Sequence, residues 1–188
     1  MGRRRDAIVA AARDIATERG MAALSVRAVA ARAGVGASTL RHYFPTQREL
    51  YDAVTEAAFD DRLGDLRIRD HGVPASDRLV ECLRQFVTPA DGLERWAATV
   101  AAVAGPDATP ERRSRWTSAV RRAHERVRGW LDVLAEEGSL RDGDPARQAR
   151  QLLLGIDGAA LWLLTSDAAD RDRETDEILR DLAATVLR

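Results

Sequence analysis

The chain has 188 residues, enough for one or two compact domains, and its 45% hydrophobic and 31% charged residues exclude a disordered polymer. It holds one cysteine, Cys82, which excludes an internal disulfide and a thiolate metal site and suits a reducing cytoplasm. Residues 1–50 carry nine Arg against four acids, a net of +5, while the remainder is net −6, so a basic head is joined to an acidic body and a polyanionic partner is expected.

Apolar residues recur at spacings of three and four, with Gly or Pro between the runs, which predicts helices throughout. Ile8, Ala12 and Ile15 mark a first helix that stops at Gly20. Ser25 suits the N-cap of a second, carrying Val26, Val29, Ala30 and Ala33 and ending at Gly34. A short third covers about 37–43. Thr46 and Glu49 have capping-box spacing and open a fourth over 46–69, with Leu50, Val54 and Ala57 on one face and Leu63 and Leu66 further along. Residues 70–74, Asp-His-Gly-Val-Pro, break the chain and are the expected domain boundary. A fifth helix carries Leu79, Leu83 and Phe86 and ends before Pro89. A sixth carries Leu93, Trp96, Ala97 and Val100 and ends at Gly105-Pro106. The long seventh, Pro110 to Glu137, has the stripe Trp116, Val120, Ala123, Val127, Trp130 and Leu134. The eighth starts near Pro145 and the ninth covers about 174–187.

No strand-like alternation interrupts this pattern, so the fold class is all-α with about nine helices. The expected layout is a three-helix domain over 1–50, a connecting helix over 46–69, and a second helical domain over 75–188. No apolar run reaches the roughly 18 residues that span a membrane. The longest, 152–164, is interrupted by Asp157, and the start Met-Gly-Arg-Arg-Arg-Asp lacks the apolar stretch of a secretory signal. Neither a metal nor a cofactor is expected.

The second and third predicted helices carry the most specific signal. A helix-turn-helix needs two helices crossing steeply around a tight turn. Gly34 supplies a residue tolerant of left-handed backbone, and Ala30 is small where the helices touch. Val29, Ala33, Val35, Leu40 and Tyr43 stand at the anchoring offsets. The segment 25–50, SVRAVAARAGVGASTLRHYFPTQREL, resembles the DNA-binding signature of the tetracycline-repressor (TetR) family: Ser-x-Arg at the start, then Ala-Gly-Val, Thr-Leu, a His/Tyr-Phe exit and a Pro-x-x-x-x-Leu close.

That resemblance implies double-stranded DNA as partner. Thr39 falls where the family touches the operator, Arg27 where the second helix meets DNA, and Tyr43 near the phosphates. Two positions depart from the pattern: Arg41 replaces a usual Tyr, and Gln47 a usual Lys. Candidate DNA-contacting residues are therefore Arg3, Arg4, Arg5, Arg27, Ala37, Ser38, Thr39, Arg41, His42, Tyr43, Thr46 and Gln47. Arg3, Arg4 and Arg5 are either an arm on the phosphates or a solvated start.

By the same resemblance, residues 75–188 bind a small molecule and form a homodimer. Residues 152–164 are apolar on every side, so that helix must be buried all round, one side against a second subunit, with Gly155 and Gly158 permitting close approach. Candidate interface residues are Leu153, Ile156, Asp157, Ala160 and Leu163, with Ile178, Leu182 and Val186 on the last helix; a purely intrachain core is the alternative. Phe86, Trp96, Trp116, His124 and Trp130 are the candidate pocket lining, and plain core is the alternative there too. His124 and Glu125 are adjacent and point apart on a helix, with no nucleophile elbow, phosphate loop or paired-histidine spacing beside them, which argues against an enzyme. The function expected is a ligand-responsive regulator, a repressor released from a palindromic operator by an unknown small molecule. The alternative is a ligand-independent activator or architectural dimer.

Overall fold

The computed structural model describes residues 2–87 and 92–188, and the side chains of all of these except 2, 55, 56, 58–62, 92 and 95. Pro89, the expected stop of the fifth helix, lies outside the described residues. The chain divides into two compact units, 1–62 and 63–188. Among the described residues there are nine α-helices, and the β structure is one isolated bridge.

The first unit holds α1 (Gly2–Arg19), a 3-10 turn (Met21–Ala23), α2 (Val26–Arg32), α3 (Ala37–Tyr43) and α4 (Gln47–Arg62). Its boundaries follow local chemistry. Ser25 Oγ accepts the Ala28 N–H at 3.2 Å, satisfying an orphan donor at the start of α2. Gly34 sits at φ +64, and the Val35 N–H reaches back to the Ala30 carbonyl at 3.0 Å. A Cβ at Gly34 would meet nothing within 4 Å, so the backbone conformation, not space, requires glycine there. Thr46 caps α4, its Oγ1 accepting from the Glu49 N–H at 3.1 Å and donating to the Glu49 carboxylate at 3.0 Å. The core gathers Ile8, Ala12 and Ile15 of α1, Val29 and Ala30 of α2, Leu40 and Phe44 around α3, and Leu50, Ala53 and Val54 of α4.

The second unit holds α5 (Ala75–Arg84), α6 (Gly92–Ala104), α7 (Pro110–Glu136), α8 (Pro145–Leu163) and α9 (Arg171–Val186). Thr109 and Asp144 cap α7 and α8 through the Arg112 and Ala146 N–H groups, with Pro110 and Pro145 at the first helical positions. Gly138 ends the α7 segment at φ +75. The bridge pairs Leu140 with Leu187 and ties the end of α9 to the loop between α7 and α8. Leu79, Leu83, Trp130, Leu131, Leu134, Leu152, Leu163, Leu179 and Val186 fill the core.

Two boundaries differ from the sequence expectation. The fourth helix ends at Arg62 rather than 69, and Leu66 stands 53% exposed at φ +42. The backbone can leave the helix because the Gln85 side-chain amide brackets Gly64: the Gly64 N–H donates to Gln85 Oε1 at 2.8 Å, and Gln85 Nε2 donates to the Gly64 carbonyl at 2.9 Å. The last helix begins at Arg171, three residues earlier than expected.

Candidate nucleic-acid interface

Leu40 is fully buried and Tyr43 is half-buried against the same core, so α3 is fixed by one face. Ala37, Ser38, Arg41 and His42 are exposed on the other, and Thr39 is partly so. Arg41 has no ion-pair partner among the described residues. The His42 and Tyr43 rings meet edge to face at 5.3 Å. Arg27 is exposed on α2. A rigid short helix, held by a left-handed glycine turn and offering small, hydroxyl and guanidinium side chains, suits the major groove.

Arg3, Arg4 and Arg5 lie in the first turns of α1, all exposed, rather than on an extended arm. The Arg5 guanidinium lies 5.1 Å from the centre of the Phe44 ring, next to the end of α3. Arg32 forms a bidentate pair with Glu18 at 2.9 and 2.7 Å, which ties α2 to α1 and holds the Glu18 carboxyl below the usual carboxylate range.

Thr46 and Gln47, expected at the DNA, are engaged within the unit. Thr46 is the cap just described. Gln47 Nε2 donates to the Leu24 carbonyl at 3.0 Å and to Tyr51 Oη at 3.1 Å, and the Tyr51 hydroxyl donates to the same carbonyl at 3.2 Å. These two side chains pin the entry to α2 against α4. Sequence spacing missed this, because the Leu24 carbonyl has no signature in the letters.

In the second unit the expected pocket residues occupy unlike places. Trp130 is 1% exposed, donates Nε1–H to Asp65 Oδ1 at 3.0 Å, and meets Phe86 edge-on at 6.1 Å. Phe86 and Trp96 are half-buried against the core. His124 Nε2 is 2.7 Å from the Ala146 carbonyl, so its ring ties α7 to the start of α8. Trp116 is half-buried further toward the start of α7. The structure brings Phe86 and Trp130 into contact and sets His124 to a structural task.

The residues expected at a dimer face divide between the chain's own core and its half-buried margin. Ile156, Ala160, Leu163 and Val186 are buried in the chain's own core, because α9 and α7 cover that side of α8. Leu153, Asp157, Ile178 and Leu182 are half-buried. Gly155 admits the chain's own Leu182: a Cβ there would lie 2.3 Å from Leu182 Cδ2. Asp157 accepts a hydrogen bond from the Trp96 side chain of α6, and burial, the larger influence, raises its carboxyl above the usual range. The outward side of α8 is instead Leu154 at 67%, Leu161 at 60% and Trp162 at 65% exposure, with Gly158 between them and nothing within 4 Å of a Cβ built on it.

No helix of the described residues is long and apolar enough to cross a membrane, and no cluster of metal-ligating side chains occurs among them. Residues 8–54 match the bacterial regulatory proteins of the TetR family, and residues 77–188 match the C-terminal domain of AefR-like transcriptional repressors. No curated protein matches the sequence. Among solved structures, a TetR-family transcriptional regulator from Rhodococcus sp. is 21% identical, with a TM-score of 0.57 and both chains covered completely. A transcriptional regulator from Saccharomonospora viridis, solved in complex with choline, is 17% identical, with a TM-score of 0.55 and both chains covered completely. The flavonoid-responsive regulator FrrA is 23% identical, with a TM-score of 0.54, covering 100% of this chain and 98% of its own. At these identities the likeness establishes a shared fold. With its helix-turn-helix head and nearly all of its second unit matched, the chain belongs to the TetR family of bacterial transcriptional regulators.

Proposed function

We propose that the chain is a homodimeric, cytoplasmic repressor that binds a palindromic operator through α3 and leaves it when a small molecule binds the second unit. The observation that carries the DNA half is the exposed face of α3, with Arg41, His42, Ser38 and Ala37 turned outward on a stretch, residues 1–50, of net charge +5. The exposed stripe Leu154, Gly158, Leu161 and Trp162 supports the dimer, since an apolar row on one helix face marks a partner surface and Gly158 lets two helices approach closely. A two-fold dimer then asks for a two-fold site, with half-sites about one helical turn apart or a multiple of it. The effector half draws support from the Phe86–Trp130 pair and from fold relatives described as bound to choline and as responsive to flavonoids. The C-terminal match to a domain described from repressors supports repression.

Selection of duplexes from random-sequence DNA by the full chain tests the first half. A two-fold site is the expected product, and a product without symmetry would contradict it. Screening small organic molecules for release of the selected duplex tests the second half. A duplex that nothing releases would make the protein a ligand-independent DNA-binding dimer.

A further inference from the structure

Residues 64–73 follow α4 in the chain and have no regular structure, yet side chains of α5, α7 and the turn after α5 hold them closely. Gln85 brackets the backbone of Gly64. Arg78 donates to the Ile68 carbonyl and, at 2.9 Å, to the Val73 carbonyl, while it also pairs with Glu137. Arg67 pairs with Glu81 at 2.9 Å. Asp65 differs from these. Its Oδ1 accepts from Arg126 at 3.1 Å and, at 3.0 Å, from the indole of Trp130, which is otherwise sealed in the core. A buried indole N–H needs an acceptor, and this one takes it from the segment that follows α4.

Two neighbouring residues connect that bond to a second attachment of the segment. Phe86 packs edge-on against Trp130, and Phe86 follows directly on Gln85, the residue that holds Gly64. Gln85 and Phe86 lie together in the turn that closes α5. A displacement of Phe86 therefore bears on two attachments of the segment at once: Gln85 with Gly64, and Trp130 with Asp65. We propose that Asp65 is a positioning residue for DNA binding, a latch that holds residues 64–73 in the operator-competent arrangement through the Trp130 indole. Molecules that move Phe86 open it. The inference rests on the proposed effector-released regulator and assigns the side chains that would carry the signal.

The test uses the full chain without any effector, on the duplex that the wild-type chain selects. Asp65→Ala and Trp130→Phe each remove the bond, Asp65→Asn keeps an acceptor oxygen for the indole, and the double variant closes a thermodynamic cycle. Operator affinity is measured beside thermal melting. Loss of the indole bond, accompanied in Asp65→Ala by loss of the exposed Arg126 pair, is expected to weaken operator binding roughly five- to tenfold in either single variant. The double variant is expected to be no weaker than the worse single, and Asp65→Asn to bind like wild type. A merely structural role would lower the melting temperature and leave the affinity of the folded chain unchanged. Unchanged affinity in Asp65→Ala, or additive losses in the double variant, would overturn the latch while leaving the regulator reading intact. A wild-type chain that selects no duplex would overturn both.

Discussion

Leu161→Asp should convert a dimer into monomers without unfolding the chain. Leu161 is 60% exposed on the outward side of α8, between Leu154 and Trp162. Burying a whole leucine side chain stabilises by about 1.5–3 kcal/mol, so the exposed part of Leu161 has roughly 1–2 kcal/mol to contribute. An interface built on a two-fold axis uses the residue twice, which makes about 2–4 kcal/mol per dimer. The dimer dissociation constant should then rise roughly thirty- to several-hundredfold, and more where the new carboxylates are buried against each other. Sedimentation velocity across a concentration series reads this directly. Because the side chain is exposed within the chain, the melting temperature of the variant monomer should stay near that of wild type. Ile156→Asp is the contrasting change, since Ile156 is 4% exposed in the chain's own core and its replacement should unfold the protein. A Leu161→Asp chain that sediments as an undiminished dimer would refute the assignment of this face.

Arg41→Ala should weaken binding to the selected duplex by about 1–3 kcal/mol and relax discrimination at one base position, as quantitative binding to a panel of single-base variants would reveal. A similar loss on every duplex would place Arg41 on a phosphate instead, and affinity unchanged from wild type on all of them would place it away from the DNA. Gly155→Ala should lower stability by about 1–3 kcal/mol, because its Cβ would arrive 2.3 Å from Leu182 Cδ2 and force that side chain to move. Gly158→Ala, with open space at its Cβ, should leave folding intact, so denaturant titration of the two variants separates the two glycines. The Arg78 guanidinium, 2.6 Å away, holds the Glu137 carboxyl below the usual carboxylate range. A depressed folded-state value means that this pair's stabilisation is complete above the ordinary carboxylate range and is lost as pH falls through the folded-state value. Glu137→Gln should therefore be less stable than wild type at neutral pH by roughly 1–3 kcal/mol and should lose less on acidification. Parallel stability–pH curves would contradict it.

The parts legible in the sequence are those whose geometry is dictated locally. Ser25, Gly34, Thr46 and Glu49 each announce a cap or a left-handed turn within four residues of where it occurs, and together they define the helix-turn-helix and the start of α4. The phase of α8 was not legible. A helix apolar on all sides gives no clue to which side meets its own chain, and α9, closing on Gly155 through Leu182, decides it. The end of α4 was hidden for a different reason: the groups that replace its helical hydrogen bonds belong to Gln85, 21 residues away. The link from Gln47 to α2 was hidden too, because its position in the motif points to DNA and nothing local announces the Leu24 carbonyl that its amide meets.

Competition binding of the full chain to its selected duplex and to a scrambled duplex of the same composition, over a range of salt, bears most directly on whether this is a sequence-specific regulator. The selected duplex should bind two chains, at least about a thousandfold more tightly than the scrambled one at physiological salt, with affinity falling steeply as salt rises. Equal affinity for the two duplexes, or no binding to either at low salt, would contradict it.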